Sequence, residues 1–350
     1  MSKTKNPNSN ADYIALGVPA WGFLPGNEYW KAKNRFSSVT AIANYDPVTT
    51  NKKGSTIELV VGSLTNGLIG FNAGVIFGKS TVRLSDASDQ IKISANKNSI
   101  QLASVGFQIL GERESWSSPT PASVMMGNGV NSINVGGGAK NWDTGMSIGT
   151  KAFLIGGSGI DRITAIGNKL GISVVGTVDL RKGNDHIEAA GLNGETGLFV
   201  SNNGVIRMGD GNDVIIGKAK ASINRRSIYV NGIIDMGAGN DLITGNSLHV
   251  NSSTGAKILM GAGNDAIAAP LESSNGAFFD FGSGIDKLTL LPGRYSIAKG
   301  LGSQLTLSSI SQVGSYWGGI DKIPINGLEF LVSSVSGKQY AFVPGEVQIV

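Results

Sequence analysis

Six aspartates recur in similar surroundings within the central part of the chain, and they are the first residues that indicate chemistry. Each occupies the sixth position of the pattern x-G-x-G-x-D-x-[I/L], and the six copies lie within 133 residues. The aspartates are Asp161, Asp185, Asp213, Asp241, Asp265 and Asp286. Their spacings of 24, 28, 28, 24 and 21 residues indicate one structural unit with loops of variable length.

Carboxylates that stack about 5 Å apart repel one another by roughly 1 kcal/mol in water, and by about 3–4 kcal/mol at an effective dielectric constant of 20. A column of six therefore needs counter-charge, and Ca²⁺ is a hard cation that accepts carboxylate and carbonyl oxygens in flexible geometry. The glycines allow each turn to fold its carbonyls towards one point. The sequence predicts a calcium column. The alternative is a metal-free fold in which Asn-Asp turns form hydrogen-bonded ladders.

The elements that must position these turns are short strands rich in Val, Ile, Leu and Phe. About three such strands fit into each unit of 21–28 residues, which predicts an all-β fold, a parallel β-solenoid of the right-handed β-helix type. Stacking the coils about 4.8 Å apart buries a continuous core and pairs the backbones. Two apolar columns are expected to face inward: Met208, Met236, Met260 and Phe281, and Ile163, Ile187, Ile215, Ile243, Ile267 and Leu288.

Weaker copies of the motif extend the array on both sides. They contain Asp89 at residues 84–91, Asn131 at residues 126–133 and Asp321 at residues 316–323. The predicted solenoid spans residues 55–325 and is best formed at 150–290. Residues 1–54 are predicted to be an N-terminal tail and aromatic-rich cap, or alternatively a carbohydrate or partner platform. Residues 326–350 are predicted to form a C-terminal β cap or an uncleaved export signal.

The motif resembles the RTX, or hemolysin-type, calcium-binding nonapeptide G-G-x-G-x-D-x-U-x, and GGSGIDRI at residues 156–163 matches it fully. The resemblance implies calcium between same-side turns of successive coils, held by the aspartates of both turns and by carbonyls of the glycine turns. Carried over, sites lie between each pair of consecutive motif aspartates, with the best at Asp213/Asp241. The candidate glycines are Gly209, Gly211, Gly237, Gly239, Gly261 and Gly263.

The chain departs from this family in one important respect. A typical RTX roll has about two motifs per coil and two ion columns, whereas one motif per 21–28 residues implies one calcium column at most. In the Asp185 copy, Arg181 and Lys182 replace a glycine and a neutral spacer. These two side chains are expected either to weaken calcium binding there or to act as built-in counter-ions.

Composition excludes several other classes of protein. Glycine accounts for 51 of 350 residues, about twice the usual share, which favours many tight turns. The absence of cysteine excludes disulfide scaffolds and cysteine-based zinc sites. A net charge of +4 without a dense basic block does not favour nucleic-acid binding, and no run of 18 apolar residues predicts a membrane span. The N-terminus shows no signal peptide, so export would need another route, such as type I secretion.

The function predicted from the sequence is a non-enzymatic, extracellular, calcium-stabilised solenoid with a structural or adhesive role at the cell surface. Its expected partners, besides calcium, are a cell-surface polysaccharide or further copies of the chain. One alternative is a phage virion or tail adhesin. The other is a carbohydrate-active enzyme on a β-helix. The histidines His186 and His249 are interpreted as surface or strand residues rather than catalysts.

Overall fold

The chain forms a parallel β-solenoid in which each coil contributes a strand to three successive faces. The structure is a computed structural model, and its side chains are described only from residue 83 onward. The residues that it describes are 4–5, 12–13, 40–43, 48–49, 56–61, 72–77, 81–84, 86–95, 103–110, 112–113, 119–136, 142–193, 196–220, 226–251, 255–275, 277–312 and 319–350. Each strand pairs in parallel with the strand of the same face in the next coil, as Val178 does with Ile206. The predicted fold class, with about three short strands per coil, is confirmed.

In the coils that carry the motif, its turn joins the first two faces. Face 1 consists of β4 (Val48–Thr49), β7 (Thr81–Arg83), β12 (Ala122–Met125), β15 (Ala152–Ile155), β18 (Thr177–Asp179), β21 (Val205–Asp210), β24 (Ile233–Ala238), β27 (Lys257–Leu259), β29 (Phe278–Asp280) and β34 (Ile323–Asn326). Face 2 consists of β5 (Thr56–Val61), β8 (Gln90–Ala95), β13 (Asn131–Gly136), β16 (Asp161–Gly167), β19 (His186–Gly191), β22 (Val214–Ala219), β25 (Leu242–Gly245), the first part of β28 (Ala266–Asn275), β30 (Lys287–Leu290) and β35 (Phe330–Ser333).

Face 3 completes each coil and leads back to face 1. It consists of β3 (Thr40–Ala43), β6 (Asn72–Phe77), β9 (Ala103–Leu110), β14 (Trp142–Ile148), β17 (Leu170–Val174), β20 (Thr196–Val200), β23 (Arg226–Val230), β26 (Leu248–Asn251), the second part of β28 and β33 (Ile320–Asp321). Parallel pairings thus run from β3 and β4 to β35, so coils begin before residue 55 and continue beyond residue 325.

Antiparallel strands occur away from the regular coils. The hairpin of β31 (Gly293–Lys299) and β32 (Leu305–Gln312) is inserted between faces 2 and 3 of one coil. Near the C-terminus, β36 (Gln339–Ala341) pairs with β35, and β37 (Gly345–Ile349) pairs with β31. Two short hairpins join β1 (Thr4–Lys5) to β2 (Asp12–Tyr13), and β10 (Glu112–Arg113) to β11 (Pro119–Thr120). The aromatic side chains predicted to form a cap at residues 12–50 lie outside the described side chains.

One continuous apolar core fills the solenoid because alternate residues of each strand point inward. The strand β24 shows this alternation, with Ile234 and Met236 fully buried and their neighbours partly exposed. Both predicted inward columns are buried throughout, which confirms those predictions. Among the described residues there is no helix long and apolar enough to cross a membrane.

Candidate metal site: the aspartate column

The six motif aspartates stack at the corner where face 1 turns into face 2. Each immediately precedes or begins a strand of face 2, and those strands pair in register, as Val214 does with Leu242. All six side chains are buried, with at most 2% of their surface exposed. The predicted stacking of these aspartates is therefore confirmed. We call this set, Asp161, Asp185, Asp213, Asp241, Asp265 and Asp286, the aspartate column.

Glycine is required in the turns because successive coils approach closely there. Gly211 has φ +148°, and a Cβ added to it would overlap the carbonyl oxygen of Gly183 in the preceding coil. The same relation repeats between Gly239 and the oxygen of Gly211. All six glycines predicted from the motif have positive φ, between 100° and 148°. A side chain at either position would strain the backbone and also force the coils apart.

Replacing Gly211 by alanine is expected to be far more damaging than the same change at Gly255. Both glycines have positive φ, but nothing lies within 4 Å of a Cβ at Gly255. Gly255→Ala should therefore lose only the conformational term, about 1–2 kcal/mol. Gly211→Ala adds a clash with backbone and should lose more than about 3 kcal/mol. Urea denaturation of the two variants tests this difference, and equal losses would contradict the close packing of the turns.

Each of the last five aspartates of the column accepts a hydrogen bond from the backbone of the preceding coil. The N–H of Asp185 donates to Oδ1 of Asp213 at 2.7 Å, and the N–H of Asp213 donates to Oδ1 of Asp241 at 2.8 Å. The same bond joins the remaining neighbours of the column at 2.7–2.8 Å. One oxygen of each of the last five carboxylates is thus used for holding adjacent coils together.

A second ladder lies beside the first and runs in the opposite direction. The N–H of Asn240 donates to Oδ1 of Asn212 at 2.7 Å, so here the side chain accepts from the following coil. Equivalent bonds join Asn184 to the amide of Asn212, and Asn264 to the amide of Ile285. The two ladders provide the hydrogen bonds expected for the metal-free alternative. They leave the second oxygen of each aspartate unexplained.

That second oxygen, Oδ2, is buried and has no hydrogen-bond partner in five members of the column. These five are Asp185, Asp213, Asp241, Asp265 and Asp286. Since a buried, unpaired carboxylate oxygen is costly, each of them calls for a proton or a cation. Within the described part of the chain, no lysine or arginine forms an ion pair with any of the five.

Burial shifts the ionisation of the whole column in one direction. It raises the pKa of Asp185 and Asp241 from 3.8 to about 7, against the lowering effect of the backbone hydrogen bond that each accepts. Burial likewise raises the pKa of the other four aspartates to about 6. The neighbouring carboxylate adds to the shift of Asp185, Asp241, Asp265 and Asp286. Without a cation, the carboxyl groups of the column are expected to stay protonated up to nearly neutral pH.

The N-terminal end of the column is closed by an amide. Asn131 accepts the N–H of Asp89 at 3.1 Å, and its Nδ2 donates to Oδ1 of Asp161 at 3.1 Å and to the carbonyl of Gly129. Oδ2 of Asp161 also accepts the N–H of Gly157 at 3.4 Å. Asp161 therefore has partners for both oxygens. The weak motif copies at Asp89 and Asn131 are confirmed, because both residues stack at the same corner, N-terminal to the six aspartates of the column.

The C-terminal end of the column differs from the sequence-based prediction. Asp321, the aspartate of the last weak copy, lies on β33 of face 3, where it pairs with Asn275. The prediction of a motif copy at residues 316–323 is wrong, because its Gly-Ile-Asp sequence leads into a strand of face 3 and does not form a turn between faces 1 and 2. The next residue of the column is Glu329, whose Oε2 accepts the N–H of Asp286 at 2.7 Å. The preceding Asn326-Gly327 turn was the available signal, but its shorter length conceals the repeat.

The two basic residues of the Asp185 copy do not neutralise the column. The ammonium of Lys182 lies 2.9 Å from Oδ2 of Asp210, and both side chains are exposed. Arg181 is exposed and has φ +73°, and it occupies the position where the motif has its first glycine. The cation that lowers the pKa of Asp185 is Arg162 on face 2. The counter-ion hypothesis for Arg181 and Lys182 is therefore not supported by these contacts.

The oxygen atoms at this corner are of the kinds that calcium prefers as ligands. Carboxylate oxygens without a partner alternate along the corner with glycine turns whose carbonyls point towards the next coil. Among the described residues, no three acidic or histidine side chains converge on one point. A metal in this column would therefore depend on carboxylates of adjacent coils together with backbone carbonyls. The residues fit calcium in the type of their oxygens.

The side chains of the two histidines pair with glutamates rather than with the aspartate column. His249 is 1% exposed on β26, and its Nε2 lies 3.2 Å from Oε2 of Glu272, a residue that bulges out of the register of β28. His186 is half-buried on β19, with Nε2 3.7 Å from Oε2 of Glu188. These positions agree with their interpretation as strand residues. Neither histidine–glutamate pair provides the two facing carboxyl groups that polysaccharide hydrolysis requires.

Comparisons of this chain with known protein families, curated proteins and solved structures find no match. The resemblance to RTX repeats therefore rests on the motif itself. What the structure adds is the placement of that motif at one corner of a parallel solenoid, with its carboxylates in a single buried column.

Proposed function

We propose that this protein is a non-enzymatic, extracellular solenoid that calcium stabilises through the aspartate column, with a structural or adhesive role at a cell surface. The observation that supports the proposal best is the set of five buried Oδ2 atoms without a hydrogen-bond partner. Five such atoms in successive coils are a repeated feature rather than a local defect. They are the acceptors that a row of cations needs.

Calcium in this column would supply positive charge and oxygen coordination to carboxylates that otherwise repel one another. The residues that would hold it are Asp185, Asp213, Asp241, Asp265 and Asp286, together with carbonyls of the glycine turns. Their Oδ1 atoms keep adjacent coils in register through the backbone ladder. Because each site is made by two coils, it does not exist in the unfolded chain, and metal binding contributes directly to the free energy of folding.

An extracellular location is consistent with the affinity that such sites would have. Calcium-binding extracellular modules have dissociation constants of about 10⁻⁴–10⁻³ M, and two carboxylates per site give only a moderate concentration of charge. Calcium would then bind outside the cell, so that folding follows export. The type I route and the surface partner, a polysaccharide or another copy of the chain, belong to this same proposal.

The double change Asp213→Asn and Asp241→Asn is expected to reduce calcium dependence without breaking the ladder. An asparagine Oδ1 still accepts the backbone N–H of the preceding coil, but the negative charge and the second oxygen are lost. In excess chelator at pH 8, the variant should be at least as stable as the wild type, since two buried charges are removed. In calcium, its melting temperature should rise by less than half as much as that of the wild type, because three of the four gaps between the five carboxylates include one of these two residues.

The matched control for that experiment is Asp210→Asn in the same turn. Asp210 is exposed and pairs with Lys182, so the change removes one negative charge outside the column and should alter stability by less than about 1 kcal/mol. If the double variant and the control respond to calcium as the wild type does, the column does not bind the ion.

A further inference from the structure

We propose that Glu329 is the terminal acidic member of the aspartate column and forms one additional calcium site with Asp286. This inference deepens the proposed function and rests on it. Glu329 belongs to no copy of the motif, since its surroundings read Asn-Gly-Leu-Glu-Phe-Leu and lack the second glycine and the aspartate. Its place in the column comes from the register of the coils.

Backbone register places Glu329 at the position of a motif aspartate. On either side of the turn, Asp280 pairs with Asn326, and Lys287 pairs with Phe330. The N–H of Phe330 donates to the carbonyl of Asp286, as that of Lys287 donates to the carbonyl of Asp265. The residue that precedes Phe330 therefore follows Asp286 in the column.

The side chain of Glu329 makes the same bond as the aspartates. Its Oε2 accepts the N–H of Asp286 at 2.7 Å, and the five equivalent bonds between aspartates measure 2.7–2.8 Å. Oδ2 of Asp286 is fully buried and has no hydrogen-bond partner. Asp286, which borders the last gap of the column, thus has a carboxylate oxygen in the same state as those of the preceding four aspartates.

A difference in turn length explains why glutamate occupies this position. Between the paired residues, the regular turn has six residues, 281–286, whereas the last turn has three, 327–329. The shorter turn changes the path of the backbone, and Gly327, with φ +67°, lies against Gly282 of the coil before it. The additional methylene of glutamate lets its carboxylate reach the amide of Asp286 from this turn.

The opposite end of the column supports the assignment by contrast. There, Asn131 donates to the carboxylate of Asp161, and both oxygens of that aspartate have partners. Asn131 therefore satisfies the first carboxylate of the column without a cation. At the other end, an acid faces an acid, since the carboxylate of Glu329 accepts the N–H of Asp286, whose Oδ2 has no partner. Oδ2 of Asp286 lacks the kind of side-chain amide that serves Asp161, and a cation would take that place.

The test is a calcium titration of the full chain by isothermal calorimetry, with equilibrium dialysis to count bound ions. Glu329→Gln keeps an oxygen that can accept the N–H of Asp286 but removes the charge, and it should bind one ion fewer than the wild type. Its melting temperature in chelator should be unchanged or higher. The control is Glu346→Gln on β37, an exposed glutamate paired with Arg294, which should bind the wild-type number.

A third variant checks the reach of the side chain independently of its charge. Glu329→Asp keeps the charge but is one methylene shorter, so it should also lose the terminal ion. If the wild type binds calcium and Glu329→Gln binds the same number of ions, Glu329 is not a ligand and the inference is overturned. If the wild type binds no calcium, the proposed function fails first, and the two results are distinguishable.

Discussion

We expect that removing calcium lowers the melting temperature of this protein by about 20 °C. A single site that is saturated at 100 times its dissociation constant contributes about 2.7 kcal/mol, so the five sites of the column contribute about 13 kcal/mol. Because the entropy of unfolding is about 2.1 cal/mol/K per residue, a chain of 350 residues changes its melting temperature by roughly 1.4 °C per kcal/mol. Circular dichroism in excess chelator and in millimolar calcium measures the difference, with β-type signal expected to increase on addition of the ion.

Magnesium is the control for that experiment. It prefers octahedral geometry and retains its water, so a site made of backbone carbonyls and buried carboxylates should respond to it weakly. An identical melt in chelator and in calcium would show that the two hydrogen-bonded ladders alone hold the coils together.

We expect the calcium-free protein to become more stable as the pH falls from 8 to 5, which is the reverse of ordinary acid denaturation. Burial raises the pKa of the column aspartates from 3.8 to about 6 or 7, so the folded state binds protons that the unfolded state does not. This stabilisation is fully present below about pH 3.8 and is lost as the pH rises through 6–7. One pKa unit corresponds to about 1.4 kcal/mol, so the change amounts to several kcal/mol.

Two comparisons identify the source of that pH dependence. Burial lowers the pKa of His249, so this single group acts in the opposite direction below its ordinary value of 6.5. The Asp213→Asn, Asp241→Asn variant should show a smaller slope, since two of the proton-binding groups are gone. Urea denaturation in chelator at pH 5, 6.5 and 8 measures the slope. A stability that falls steadily from pH 8 to 5 would contradict the burial of ionisable carboxylates. With saturating calcium the slope should reverse, since protons compete with the metal.

The fold and the position of the column could be predicted because the repeat is exact in its centre. Met208, Met236 and Met260 occupy the same position of the motif in three successive coils, and each is fully buried. A period of 21–28 residues with strands of a few residues leaves few alternatives to a solenoid. The stacking of the aspartates follows directly from that architecture.

The ends of the column could not be predicted for a physical reason. A column is ended by whichever residue can satisfy the last backbone amide, and that residue need not belong to the motif. Asn131 stands where the motif has aspartate, and its type alone does not show that it donates a hydrogen bond to Asp161. Glu329 compensates for a shorter turn with a longer side chain, so neither its type nor its spacing matches the repeat. Asp321 matches part of the motif but lies on another face.

The details of hydrogen bonding were also inaccessible from the sequence. The motif allows aspartates and asparagines to form ladders, but it does not specify that the two ladders run in opposite directions. Nor does it predict that one carboxylate oxygen is used by the backbone and the other is left buried without a partner. That division supports calcium binding and metal-free stacking as successive states of the same turns.

The most direct test of the central claim is the number of calcium ions bound per chain, measured by dialysis of the purified protein followed by metal analysis. Four gaps separate the five aspartates whose Oδ2 has no partner, and Glu329 adds a fifth. We expect about five ions, lost on treatment with chelator and recovered on return to millimolar calcium. A protein that binds no calcium under these conditions, and folds fully without it, would contradict the account.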